Sequence, residues 1–190
     1  MKNNSGKNYR KYNLFSSEWN IYTMISTVMG IGFFPLRGGG SWAALVCVLF
    51  FILFKLLMID LFNLSKELFF GLNVILLFIF TFIGFFSIKK TTTIEDPDPH
   101  HIVIDEWVGM WIPLMFINYN YLNFVLILIS FFIFRLFDIF KPWPINKFEK
   151  LPHAYGVLGD DIIAGIFTLF CMLIIIILLL SYYSRLINWF

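Results

Sequence analysis

Ile102-Val103-Ile104-Asp105-Glu106-Trp107-Val108-Gly109-Met110-Trp111 is the stretch on which the architecture turns. It is apolar enough to enter a membrane, yet two adjacent acids stand near its start. Counted with the residues up to Ile117 as a crossing, it becomes one of five and fixes which acids share a membrane face. A carboxylate at an apolar boundary is costly unless a cation or water satisfies it, so Asp105 and Glu106 are functional candidates from the outset.

The rest of the chain supports a membrane reading. Of 190 residues, 59% are hydrophobic and only 14% charged, and mean hydropathy is +0.81. A soluble domain of this size carries more charge and shorter apolar runs. Leu68–Ile88 and Ile162–Leu180 are uncharged and each about 20 residues long, enough to cross a hydrocarbon core of about 30 Å. Ser41–Leu61 reads as another span, with Lys55 reaching toward an interface. Tyr121–Phe137 is a further one, with Arg135 near its end. The expected fold class is all-α: a polytopic membrane bundle of four or five transmembrane helices. A single domain covers 1–190, with a basic tail at 1–19, a half-helix or re-entrant segment and Gly loop at 20–40, and the bundle at 41–190.

Charge placement orients the bundle. Lys2, Lys7, Arg10 and Lys11 precede the first apolar stretch and put the N-terminus in the cytoplasm by the positive-inside rule. Five crossings then place Lys89, Lys90, Arg135, Lys141, Lys147 and Lys150 on the cytoplasmic side, and only Lys55, Lys66 and Arg185 outside. The same count gathers Asp105, Glu106, Arg135, Asp138, Asp160 and Asp161 at one face. No cleavable signal peptide is apparent. Cys47 and Cys171 lie inside apolar spans, outside any C-x-x-C pair, and are expected to pack.

Asp160-Asp161 opens a second apolar stretch as Asp105-Glu106 opens the first, and in each case a small residue follows four positions on (Gly109; Ala164 and Gly165). One acidic helix start can be explained by the helix dipole alone; two suggest a shared device. Asp105, Glu106, Asp160 and Asp161 are thus the expected catalytic acids and metal ligands. Oxygen ligands without nearby Cys favour Mg²⁺, which keeps waters and leaves positions for phosphate oxygens, whereas zinc would want His or Cys. Arg135 and Asp138 share a helix face, and Lys141 follows before Pro142-Trp143-Pro144. Arg135 and Lys141 suit a phosphate, one as a fork and one as a point charge; Asp138 would orient Arg135 or add a ligand. A purely structural Arg135–Asp138 ion pair is the plainer alternative. Gly38-Gly39-Gly40-Ser41 precedes a span, with Ser41 as a plausible N-cap and phosphate contact. The Glu95–His101 stretch reads as a solvated loop, and Trp143 as a head-group anchor.

Several other classes find no support. A Cys-x5-Arg thiolate loop is missing, as is the spaced-aspartate signature of CDP-alcohol phosphotransferases. A transporter would distribute ionisable groups through the membrane depth, and here the mid-span positions are nearly all apolar. No nucleic-acid partner is expected, and no motif sets an oligomeric state.

Together the motifs resemble the phosphatidylglycerophosphatase A family of bacterial inner-membrane enzymes. The resemblance runs through Ile102–Pro113, Phe134–Phe148 (Phe-Arg-Leu-Phe-Asp-Ile-Phe-Lys-Pro-Trp-Pro-Ile-Asn-Lys-Phe) and Gly156–Gly165 (Gly-Val-Leu-Gly-Asp-Asp-Ile-Ile-Ala-Gly). It implies a Mg²⁺-dependent phosphomonoesterase that converts phosphatidylglycerophosphate to phosphatidylglycerol, with Asp105, Glu106, Arg135, Asp138, Lys141, Asp160 and Asp161 at matching positions. The first half departs from the pattern: Arg37-Gly38-Gly39-Gly40-Ser41 retains only the Gly-Ser end of the family's Pro-Gly-Thr-x-Gly-Ser stretch. The alternatives are another lipid-phosphate or lipid-pyrophosphate head-group enzyme and, more remotely, a cation or proton transporter.

Overall fold

The computed structural model describes residues 20–34, 39–92, 96, 99–117 and 122–187. These residues form helices and turns, and no strand is found among them. Helix α1 (Ile21–Ser26) is short, capped by the Asn20 side chain, which accepts a hydrogen bond from Thr23 N at 2.9 Å. A single 3₁₀ turn at Ile31–Phe33 follows. Helix α2 (Gly39–Lys55) continues as wider π-helical turns to Leu61, and α3 covers Lys66–Thr91. Then come α4 (Ile104–Leu114), α5 (Leu122–Phe140), the one-turn α6 (Ile145–Phe148) and the long α7 (Ala154–Ile187).

Three of these are long and apolar enough to cross a membrane: α2 with its continuation, α3, and α7 as far as Tyr182. The all-α bundle is therefore as expected, but the crossing assigned to 102–117 is corrected. An 11-residue helix rises only about 16 Å, well short of a 30 Å core. Every residue of α4 except Glu106 is buried, so it is an internal helix rather than a lipid-facing one. Its apolar length serves packing against other helices.

That packing is aromatic. Trp107 and Trp111 of α4 sit among Phe50, Phe51 and Phe54 of α2 and Phe80 of α3, with ring centroids 5.2–6.3 Å apart. Edge-to-face arrangements predominate in the contacts with α3, as the ring quadrupoles prefer. Lipid tails are as apolar as these side chains, so within a bilayer such shape-matched packing, rather than burial from water, holds helices together. Ile104 abuts Gly84 of α3, and Phe116, just past α4, meets Phe70 near the start of α3. Helix α4 therefore runs antiparallel to α3 and begins part-way along it. Lys90 lies six residues beyond Gly84, so the acidic start of α4 is recessed about 9 Å from the basic end of α3.

The 20–34 segment folds beneath that start. Val103 N donates to Ser26 O at 2.8 Å, and the hydroxyls of Ser26 and Thr91 lie 3.3 Å apart. Gly32 presses against the His101 carbonyl so closely that a Cβ would overlap it. The expected half-helix at 20–40 is thus present but brief. Pro35–Gly38 lie outside the described residues.

Candidate active site

The site grows from the crossing of α4 and α7. A Cβ on Gly109 would lie 2.5 Å from the Asp161 carbonyl, and one on Gly165 would collide with the Gly109 carbonyl. Two glycines thus let the backbones touch, as small residues do at membrane helix crossings. One turn before Gly109 stands Asp105; four residues before Gly165 stands Asp161. The crossing therefore carries the two acids to a common point.

There, one carboxylate oxygen from each of Asp105, Glu106 and Asp161 lies within 4.8 Å of the other two. Asp105 and Asp161 are buried, at 7% and 3% exposure. Glu106 Oε2 and Asp161 Oδ1 have no hydrogen-bond partner among the described residues. Three carboxylates this close repel one another, and buried anionic oxygens without a donor are expensive. A hard divalent cation resolves both problems, since it takes oxygen ligands only and tolerates waters at its other positions. The donor set fits such an ion.

Cations line the same space. The Arg135 guanidinium pairs with Asp138 one turn along α5. Gly40 brings it close to Glu106: a Cβ there would overlap Glu106 Oε1 and lie 3.2 Å from an Arg135 terminal nitrogen. Lys141 Nζ bonds Asp160 Oδ2 at 2.6 Å and Glu149 Oε1 at 2.7 Å. Partial burial alone would lower the Lys141 pKa, but these two carboxylates outweigh it and hold it above the ordinary lysine value. The ammonium is therefore charged throughout the physiological range.

All eight residues singled out in the sequence line one cavity of about 950 Å³: Ser41, Asp105, Glu106, Arg135, Asp138, Lys141, Asp160 and Asp161. Their local roles differ from the expectation in three respects. Asp160 and Asp161 do not open a helix; they lie in the second turn of α7, which begins at Ala154. The helix dipole therefore does not account for them. Asp160 faces Lys141, whereas Asp161 joins the acidic trio. Ser41 is not an N-cap either, because α2 already includes Gly39 and Gly40. Those glycines are helical where Gly32 O and Glu106 crowd them, so the helix starts earlier than the hydroxyl suggests.

Of the Glu95–His101 stretch, the described Asp96 and His100 are exposed as expected, whereas Pro99 is buried and His101 half-buried. His100 and His101 line the cavity, and the half-buried His101 ring stacks on Phe33 with centroids 5.1 Å apart. Burial, slightly opposed by Asp96, lowers the His101 pKa. Sequence reasoning missed Glu149. An exposed acid after a Pro-Trp-Pro turn carries no signal of its own, and its meeting with Lys141 needs the loop at 149–153 to fold back over the first turn of α7. Gly156 permits that, with the Glu149 and Leu151 carbonyls packed where a Cβ would stand.

The sequence model of the family described as Phosphatidylglycerophosphatase A matches residues 24–176, most of the chain and the whole of this cavity. The chain belongs to the phosphatidylglycerophosphatase A family. It is thus a phosphatase with membrane-type helices. Among curated relatives, a Bacteroides thetaiotaomicron protein named "Putative phosphatidylinositol-3-phosphatase" is 32% identical over 145 residues, spanning 76% of this chain and 87% of its own. The Phosphatidylglycerophosphatase A of Haemophilus influenzae is 39% identical over 101 residues, or 51% of this chain and 61% of its own. That of Escherichia coli is 43% identical over 70 residues, or 36% and 40%. No solved structure matches the chain.

Proposed function

We propose that this phosphatase hydrolyses the terminal phosphate monoester of phosphatidylglycerophosphate, giving phosphatidylglycerol and phosphate in phospholipid biosynthesis. The reading places it in the bacterial inner membrane with the cavity facing the cytoplasm, and makes the reaction Mg²⁺-dependent. One observation carries it: an anionic trio suited to a hard cation and two cationic side chains suited to a phosphate share one cavity.

Asp105, Glu106 and Asp161 would hold the ion. When bound, it supplies Lewis acidity and positive charge to the phosphate. Arg135 and Lys141 would grip the phosphate oxygens and stabilise charge on the transferring group. Asp138 holds the guanidinium in place for that contact. Ser41, in the first turn of α2, would add a hydroxyl to the cavity lining. The P–O ester bond breaks, a water oxygen ends on the phosphate, and the glycerol oxygen takes up a proton. Acyl chains stay in the bilayer, so the cavity need receive only the head group.

The match to the Bacteroides thetaiotaomicron protein, which spans 87% of that protein, favours phosphatidylinositol 3-phosphate as a second reading. Both substrates present a phosphate monoester on a lipid head group. Phosphate release by the purified chain from vesicles carrying either lipid distinguishes them, with Mg²⁺ or EDTA present. Faster Mg²⁺-dependent release from phosphatidylglycerophosphate is expected. Release from the inositol lipid alone replaces the substrate, and EDTA-insensitive turnover removes the metal.

A further inference from the structure

The two aspartates at 160 and 161 are neighbours in sequence but have different partners. Adjacent residues on a helix diverge by about 100°. Asp161 points to Asp105 and Glu106 across the α4–α7 crossing, and Asp160 to Lys141 at 2.6 Å. Asp160 also accepts from the Asp161 backbone N–H at 3.0 Å, which fixes its carboxylate against its own helix. Glu149 approaches the same ammonium from the other side, at 2.7 Å, and is not among the residues lining the cavity.

Lysine is a flexible four-carbon arm with three donors at its tip. Left alone at the wall of a wet cavity it would sample many rotamers, and fixing it on a ligand would cost entropy. Here two carboxylates take two donors and leave the third for the cavity. Lys141 itself has a left-handed backbone, φ 42°, where α5 stops before Pro142. Its side chain thus leaves the helix end toward α7 and the 149–153 loop.

We propose that Glu149 is a positioning residue that, with Asp160, clamps Lys141 as the phosphate-holding arm, so that Asp160 serves the lysine rather than the metal trio. The inference rests on the phosphate-cavity reading above. It divides the acids of the site into a metal set (Asp105, Glu106, Asp161) and a lysine set (Asp160, Glu149).

The test uses the full chain in detergent, with Mn²⁺ and inorganic phosphate as separate calorimetric probes, so it does not depend on turnover. Asp161→Asn should weaken Mn²⁺ binding, while Asp160→Asn and Glu149→Ala leave it within about twofold. Phosphate binding to the Mn²⁺-loaded protein should weaken about threefold in Glu149→Ala, because the Glu149 side chain is 46% exposed and its pairing is screened. It should weaken about tenfold in Asp160→Asn, where the aspartate is buried at 7% exposure, and Glu149→Asp should retain part of the binding that Glu149→Ala loses. Placed in a Lys141→Ala background, Glu149→Ala should have no further effect, because the clamp has nothing left to hold. An additive loss in that background, tighter phosphate binding in Glu149→Ala, or Mn²⁺ loss in Asp160→Asn equal to that in Asp161→Asn each overturns the proposal. A parent protein that binds both probes but hydrolyses neither lipid refutes the proposed function and leaves the clamp standing.

Discussion

At the residue scale, burial singles out the carboxylates to which the proposed reading assigns the ion. Asp105 and Asp161 are enclosed anions, and their amide analogues remove charge while keeping shape. Asp105→Asn and Asp161→Asn should each abolish lipid phosphate release yet melt no lower than the parent, since relieving carboxylate repulsion offsets the lost ligand. A loss of folded protein in both, followed by thermal unfolding in detergent, counts against the assignment. Arg135→Lys keeps the charge but loses the planar fork. It should raise KM for the lipid and lower kcat, in contrast to Glu149→Ala, whose effect is confined to phosphate binding. The types and spacing of these residues were legible in the sequence because a charge in an apolar run has few uses. The partner of Asp160 was not, because Lys141 lies 19 residues earlier and the contact depends on how α5 ends. His101 was hidden for a similar reason, as its stacking on Phe33 joins a turn to a single 3₁₀ turn far away in sequence.

At the scale of elements, the short helix α4 departs most from expectation. Its composition reads as membrane-spanning, but length decides, and 11 residues with Pro113 near the end cannot reach across. Hydropathy reports the surroundings of a segment and does not separate lipid from neighbouring helices. The small residues after each acidic pair were the better signal, since Gly109 and Gly165 set the α4–α7 contact. Gly165→Ala should therefore destabilise by about 1–3 kcal/mol through overpacking and cut activity with it. Gly71, where a Cβ would meet nothing within 4 Å, is the matched control. Gly71→Ala should leave activity unchanged and raise the melting temperature slightly, as alanine is the better helix former. Equal destabilisation by both substitutions would show that the crossing is looser than the backbone contact implies.

For the whole molecule, antiparallel packing of α3 and α4 sets the orientation of everything else. The acids of α4 and α7 gather with the cations that end α5 around one cavity, as the charge distribution of the sequence implied, although among the described residues three of the five expected segments are long and apolar enough to cross. Single cysteines introduced at Lys90 and Lys150 should react with an impermeant thiol reagent from the same side of sealed vesicles, and one at Lys66 from the other. Labelling of positions 90 and 66 from one side would remove α3 as a crossing. Cys47 is buried, so it should not confuse the readout, and Cys171 is replaced by Ser beforehand.

The divergence of Asp160 and Asp161 ties two grips to a single rod. Any twist of α7 that brings one aspartate nearer its partner swings its neighbour through the same arc, so a movement of the helix as a whole shifts both grips together, unlike a substitution at either aspartate. Variants selected far along α7 for altered metal preference should then arrive with altered product inhibition, even where neither aspartate has been touched.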